Sequence, residues 1–130
     1  MAKVFMVSII DDDESVRKAV KGLVRSLGFH ADSFSSAETF LRSDRLHDTA
    51  CVITDIQMPG MSGVELQNVL VAQHHPAPMI FMTAFPEERI RRHVLNAGAV
   101  GFLVKPFSDE CLIECLETAQ RSRSDGSAPH

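Results

Sequence analysis

Val7-Ser8-Ile9-Ile10 runs into Asp11-Asp12, Cys51-Val52-Ile53-Thr54 into Asp55, and Gly101-Phe102-Leu103-Val104 into Lys105-Pro106. Each apolar run has the length of a buried strand and stops on charge. Longer stretches of helical period lie between the runs, and this alternation predicts an α/β fold, a parallel sheet covered by helices on both faces. The carboxyl ends of parallel strands share one edge of the sheet, where open α/β folds place their sites. Three carboxylates and one ammonium are thereby expected in one pocket.

Working outward, five strand-helix repeats can be read. Strands are expected near Lys3–Ile10, His30–Phe34, Ala50–Thr54, Met79–Met82 and Ala99–Val104. Val16, Ala19, Val20, Leu23, Val24 and Leu27 form the apolar stripe of a first helix, which Gly28 ends. Ser35-Ser36-Ala37-Glu38 reads as the capped start of a short second helix. Met58-Pro59-Gly60-Met61-Ser62-Gly63 is a turn-rich loop before a third helix, carried by Val64, Leu66, Val69, Leu70 and Val71. Ala84-Phe85-Pro86-Glu87-Glu88 opens a fourth, with Pro86 in its first turn, and Ser108-Asp109-Glu110 precedes the fifth. The expected domain covers residues 1–121. Residues 122–130, polar and Ser-rich, read as a disordered tail or the start of a linker.

The chain has 130 residues, the size of one domain. Lys and Arg number 13 against 17 Asp and Glu, a net charge of −4 that argues against non-specific nucleic-acid binding, which needs a basic surface. No apolar run reaches the roughly 18 residues of a membrane span. The N-terminus carries no signal-peptide pattern, and the three cysteines form neither a CxxC motif nor a secreted framework, so a cytoplasmic protein is expected, with Cys51, Cys111 and Cys115 as packing residues. No P-loop or GxGxxG suggests nucleotide binding.

Crowded carboxylates repel one another, and burial penalises each charge further, so the cluster calls for a neutralising cation. An all-oxygen ligand set points to Mg²⁺, which typically pairs one or two carboxylates with phosphate oxygens. Asp55, alone at its strand end and followed by a glycine-containing loop, is the expected nucleophile. Asp11 and Asp12, adjacent in a turn, are suited to holding the metal directly or through water. Phosphoryl transfer also needs its equatorial charge neutralised, and Lys105 supplies a second cation. Pro106 is a candidate for a cis bond that would aim Lys105 inward. Thr83, at the fourth strand's end, adds a hydroxyl for a phosphate oxygen. Taken singly, an aspartate at a strand end is commonly a solvated turn or cap, and it is the joint ordering along five repeats that carries the inference.

With Asp11-Asp12, Asp55, Met58-Pro59-Gly60-Met61-Ser62-Gly63, Thr83-Ala84 and Lys105-Pro106-Phe107 in place, the chain resembles the receiver domains of two-component response regulators over about Lys3 to Gln120. The wording Asp55-Ile56-Gln57-Met58-Pro59, Ser62-Gly63-Val64-Glu65-Leu66 and Lys105-Pro106-Phe107 is most similar to the FixJ-like class, with LuxR-type output, whose receivers commonly precede a DNA-binding helix-turn-helix domain. The resemblance implies a flavodoxin-like three-layer sandwich with sheet order 2-1-3-4-5 and five helices. It implies that a sensor histidine kinase passes its phosphoryl group to Asp55. Mg²⁺ would be held by Asp12, Asp55 and the backbone carbonyl of Gln57, with Asp11 assisting through water. It also implies a signalling domain that assists its own phosphorylation and dephosphorylation rather than a turnover enzyme. DNA would be reached only through a separate output domain.

In the family, Thr83 and Phe102 correspond to a switch that repacks the surface of the fourth helix, fifth strand and fifth helix, where a phosphorylation-dependent homodimer is implied. Arg89, Arg91, Arg92 and His93 would face Asp109, Glu110 and Glu114 across it, or form a solvated face. Gln57 and Phe85 flank the path of attacking water, and Phe85 is expected to shield the phosphorylated site. A haloacid-dehalogenase-type phosphatase would want a second Asp at position 57, where Gln stands. A phosphate-free binding module, an FMN carrier, and a stand-alone receiver acting in a phosphorelay or as a docking module are the other readings.

Overall fold

The computed structural model describes residues 4–126, with side chains described as far as Ser122. Its elements are β1 (Met6–Ile10), α1 (Glu14–Ser26), β2 (His30–Phe34), α2 (Ala37–Leu41), β3 (Thr49–Asp55), α3 (Gly63–Ala72), β4 (Met79–Thr83), α4 (Glu88–Asn96), β5 (Gly101–Val104) and α5 (Asp109–Gly126). All strand pairs are parallel and the order is β2-β1-β3-β4-β5. This is the α/β fold expected from the strand-helix alternation, in the flavodoxin-like form and strand order that the family resemblance implies.

The central strands are apolar on both sides because both sides are covered. Val7, Ile9, Cys51, Ile53, Ile80 and Met82 face Val20 and Val24 of α1 and Leu112 and Leu116 of α5. Ile10, Val52 and Phe81 point the opposite way, onto Phe40 of α2, Leu66 and Leu70 of α3 and Val94 of α4. The period of two thus sorts each strand's residues between the two cores. Burying a side chain such as Phe40, Phe81, Leu66 or Leu116, all within 2% of full burial, contributes about 1.5–3 kcal/mol each.

Local signals set several boundaries. Asp13 caps α1, accepting from the N–H groups of Ser15 and Val16, and Gly28 follows its end at φ +93°. Ser36 caps α2. Ser62 and Glu65 form a reciprocal capping box at α3.

Some expectations are corrected. β1 begins at Met6 rather than near Lys3, with Val4 and Phe5 outside the strand and residues 1–3 outside the described range. α4 starts at Glu88, with Glu87 at the cap position and no side-chain cap, so Pro86 precedes the helix instead of sitting in its first turn. The backbone expected to be disordered from residue 122 continues α5 to Gly126. Propagating a helix from a packed base costs far less than starting one, and Ser, Arg and Asp tolerate it. Residues 127–130 of the expected tail lie outside the described range. Cys51 is buried and Cys115 half-buried, but Cys111 is exposed and so is not a packing residue.

Candidate functional site

Strand register builds the site as a staircase. Ile10 is level with Thr54, Asp55 with Met82, and Thr83 with Val104. Asp11 and Lys105 are each the next residue along. Asp11, Asp55, Thr83 and Lys105 therefore emerge side by side at the carboxyl edge of β1, β3, β4 and β5, as the three charged strand ends predict.

Asp11 is fully buried, and Lys105 donates to its Oδ2 at 2.8 Å. The same Nζ lies 3.5 Å from Asp55 Oδ2. Asp11 Oδ1 accepts the N–H of Asp13 at 2.9 Å, which turns the chain into α1, and Arg17 donates to the Asp11 carbonyl at 2.8 Å. Asp12 is exposed at the mouth. Among the described residues, Asp11, Asp12 and Asp55 each offer a carboxylate oxygen within 4.8 Å of the others. Asp13, the third acid of the run, is spent on the helix cap.

Lys105 is set by backbone as well as charge: its N–H donates to the Thr83 carbonyl at 2.8 Å, and the Lys105–Pro106 peptide is cis. Burial works against its charge, but the hydrogen bond to Asp11 and the two carboxylates outweigh that and hold the ammonium above its ordinary pKa. Asp55 is 7% exposed. Burial first, and the Asp11 carboxylate second, push its carboxyl up, only partly opposed by Lys105. Its Oδ1 is a buried acceptor without a protein partner among the described residues. Such an orphan beside two further carboxylates, with one ammonium against three acids, suits a hard divalent cation, so the donor set fits Mg²⁺.

The loop after Asp55 is folded back tightly. Gly63 donates to the Ile56 carbonyl at 2.9 Å, and a Cβ on Gly63 would collide with the Asp55 carbonyl. Gln57 is exposed, yet its Oε1 accepts the buried Thr83 hydroxyl at 2.8 Å, and that hydroxyl in turn accepts the Phe85 N–H at 3.0 Å. Phe85 itself is 72% exposed, so its ring is turned to solvent and the expected shielding has no packing to carry it. Phe102 is half-buried against the α2/α3/α4 core. Arg91 and Arg92 reach Glu88 of their own helix, at 3.3 and 3.6 Å.

The structure brings Asp11, Asp12, Asp55, Thr83 and Lys105 to one edge of the sheet. The Gln57–Thr83 hydrogen bond, the Arg17 anchor and the close approach at Gly63 have no counterpart among the sequence expectations. Of these, only Gly63 carried a signal, as a glycine at the first position of a capped helix.

Comparison with known proteins agrees with this geometry. Residues 7–117 match the family model described as response regulator receiver domain. The chain belongs to the receiver domains of two-component response regulators. Among characterised relatives, it is 36% identical over 115 residues to the transcriptional regulatory protein FixJ of Bradyrhizobium diazoefficiens, covering 88% of this chain and 56% of that protein. It is also 36% identical over 114 residues to the response regulator protein TodT of Pseudomonas putida, covering 88% and 50%. The chain thus spans about half the length of these relatives. The solved response regulator StyR superposes with a TM-score of 0.87 at 38% identity, over 96% of this chain and 63% of that one. The isolated FixJ N-terminal structure gives 0.81 at 35%, over 92% and 96%. The likeness places the chain with FixJ-like receivers. No helix among the described residues is long and apolar enough to cross a membrane.

Proposed function

We propose that this receiver takes a phosphoryl group onto Asp55 from the phosphohistidine of a sensor histidine kinase. The carrying observation is the buried, unpartnered Oδ1 of Asp55 beside Lys105, Asp11 and Asp12. An Asp55 carboxylate oxygen attacks phosphorus, the phosphorus–nitrogen bond breaks, and the imidazole leaves with the electron pair and is then protonated. Asp12, Asp55 and the backbone carbonyl of Gln57 would hold Mg²⁺, with Asp11 assisting. When bound, the ion supplies positive charge to the phosphoryl oxygens. Lys105 neutralises a further oxygen from the β5 side, held by Asp11 until the phosphoryl group arrives.

Thr83 would leave Gln57 for a phosphoryl oxygen, and Phe102 would follow into the vacated space. This changes the α4/β5/α5 surface, where Val104 is 44% exposed, and a phosphorylation-dependent homodimer is the reading for that face. Arg91 and Arg92 would have to exchange Glu88 for acids across the interface. Water attacking the acyl phosphate returns the domain to its resting state. Because the match covers only about half of each relative and three carry transcriptional names, control of transcription through a separate DNA-binding output domain is the biological role we favour.

Intact mass after incubation with acetyl phosphate tests this. One phosphoryl adduct that needs Mg²⁺, is lost at alkaline pH and is missing in Asp55→Asn supports it. No adduct despite Mg²⁺ binding would leave a phosphate-free binding module.

A further inference from the structure

Glu38 stands in the first turn of α2, where an acid is ordinarily a partner for the helix's own N–H groups. Here its carboxylate also crosses to the loop after Asp55. Oε2 accepts the N–H of Met61, 23 residues away, at 3.0 Å. Gly60, at φ +75°, presents its bare Cα to the same oxygen, and a Cβ there would collide with it. The bond to Met61 is also the foremost reason that the Glu38 carboxyl lies below its ordinary pKa.

We propose that Glu38 is a positioning residue for the metal site, fixing the loop that presents the Gln57 main-chain carbonyl to Mg²⁺. The inference rests on the receiver reading above and adds a residue from outside the pocket.

The loop's other ties show why such a clamp matters. Its far end is closed by the Gly63–Ile56 hydrogen bond and the Ser62–Glu65 capping box. Met58 is buried in the α2/α3/α4 core. Between Met58 and Ser62, Pro59 has no N–H to give and Gly60 is the least restrained residue type. Glu38 grips this span at Met61, so Met58 in the core and Met61 on Glu38 hold the two ends of the Pro59-Gly60 turn that directly follows the Gln57–Met58 peptide. A charge-assisted hydrogen bond is about twice as strong as a neutral one, which suits a carboxylate to this task. Groups that orient metal ligands from behind commonly change metal affinity by about 10-fold or more when removed.

The experiment uses the full chain as wild type, Glu38→Gln and Glu38→Ala. Amide hydrogen exchange at Met61 is measured without metal, and Mg²⁺ affinity by calorimetric titration. The expected result is Met61 exchange about 10-fold faster in Glu38→Ala, with Mg²⁺ binding weakened ~10-fold. Glu38→Gln keeps an acceptor oxygen but not its charge, and should lose clearly less affinity than Glu38→Ala, about threefold. Equal loss in both variants would mean that long-range charge acts, not positioning, and would overturn the proposal. So would faster Met61 exchange with unchanged Mg²⁺ affinity. A wild type that binds no Mg²⁺ would instead remove the receiver reading, and this inference with it.

Discussion

The Thr83 hydroxyl donates to the side-chain oxygen of Gln57 at 2.8 Å, two residues beyond Asp55. Gln57 thereby joins two parts of the site: its carbonyl is the proposed metal ligand, and its side chain holds the proposed switch hydroxyl. Replacing Gln57 by Met keeps the volume and removes the acceptor. Net hydrogen bonds of this kind contribute about 0.5–1.5 kcal/mol, so Gln57→Met should unfold in urea with a stability lower by that amount. A loss above about 3 kcal/mol would show that Gln57 stabilises the fold by packing rather than through this hydrogen bond.

Lys105 neutralises a carboxylate that has no access to water. Removing one partner of a buried pair costs about 3–5 kcal/mol, and the 19% exposure of the Lys105 side chain puts this pair at the lower end. Lys105→Met should therefore lose about 3 kcal/mol at neutral pH without metal. Added Mg²⁺ should recover part of that, because it replaces the missing cation. Urea denaturation with and without the ion checks both statements, and a metal-independent loss would contradict the shared-charge account.

Asp55 has a folded-state pKa above its ordinary value, from burial and the Asp11 carboxylate. The folded state then binds the proton more tightly than the unfolded chain. Its proton-linked stability is complete below the unfolded pKa of about 3.9 and is lost as pH rises through the folded value. At neutral pH the metal-free protein holds an ionised Asp55 at a cost, which Asp55→Asn removes. The variant should melt a few degrees above wild type near pH ~7 without metal, with the gap closing towards pH ~4. Mg²⁺ should raise the wild-type melting temperature more than that of the variant. Circular dichroism melts over this range decide it, and a variant less stable at every pH would refute the repulsion.

Gly63 lies so close to the Asp55 carbonyl that a methyl group has no room. Gly63→Ala should force the loop off β3 and destabilise the protein by about 1–3 kcal/mol, as overpacking does. Mg²⁺ binding should weaken in parallel because the Gln57 carbonyl moves. Stability within about 0.5 kcal/mol of wild type would mean that the loop has slack.

What the residues alone disclosed follows from period and punctuation. Val7–Ile10, Cys51–Thr54 and Gly101–Val104 could be read as strands because apolar runs of that length have few other uses. Their terminal charges could be aligned because parallel strands end at one edge. The three consecutive aspartates were harder: nothing in the spacing says that Asp13 caps α1 while Asp11 is buried on Lys105. Glu38–Met61 and Thr83–Gln57 were invisible because they depend on the path of a loop, and pairs 23 and 26 residues apart leave no periodic trace. The end of α5 departs from the disorder that its polar composition suggests because a helix already packed through Leu112, Leu116 and Ala119 can simply continue.

Chemical trapping at the residue decides whether Asp55 itself carries the phosphoryl group. After incubation with acetyl phosphate and Mg²⁺, borohydride reduces an acyl phosphate to the alcohol, so tandem mass spectrometry of the digest should find homoserine at position 55 and unmodified aspartate at 11, 12 and 13. Homoserine at another aspartate, or none anywhere in protein that binds Mg²⁺, would contradict phosphorylation of Asp55.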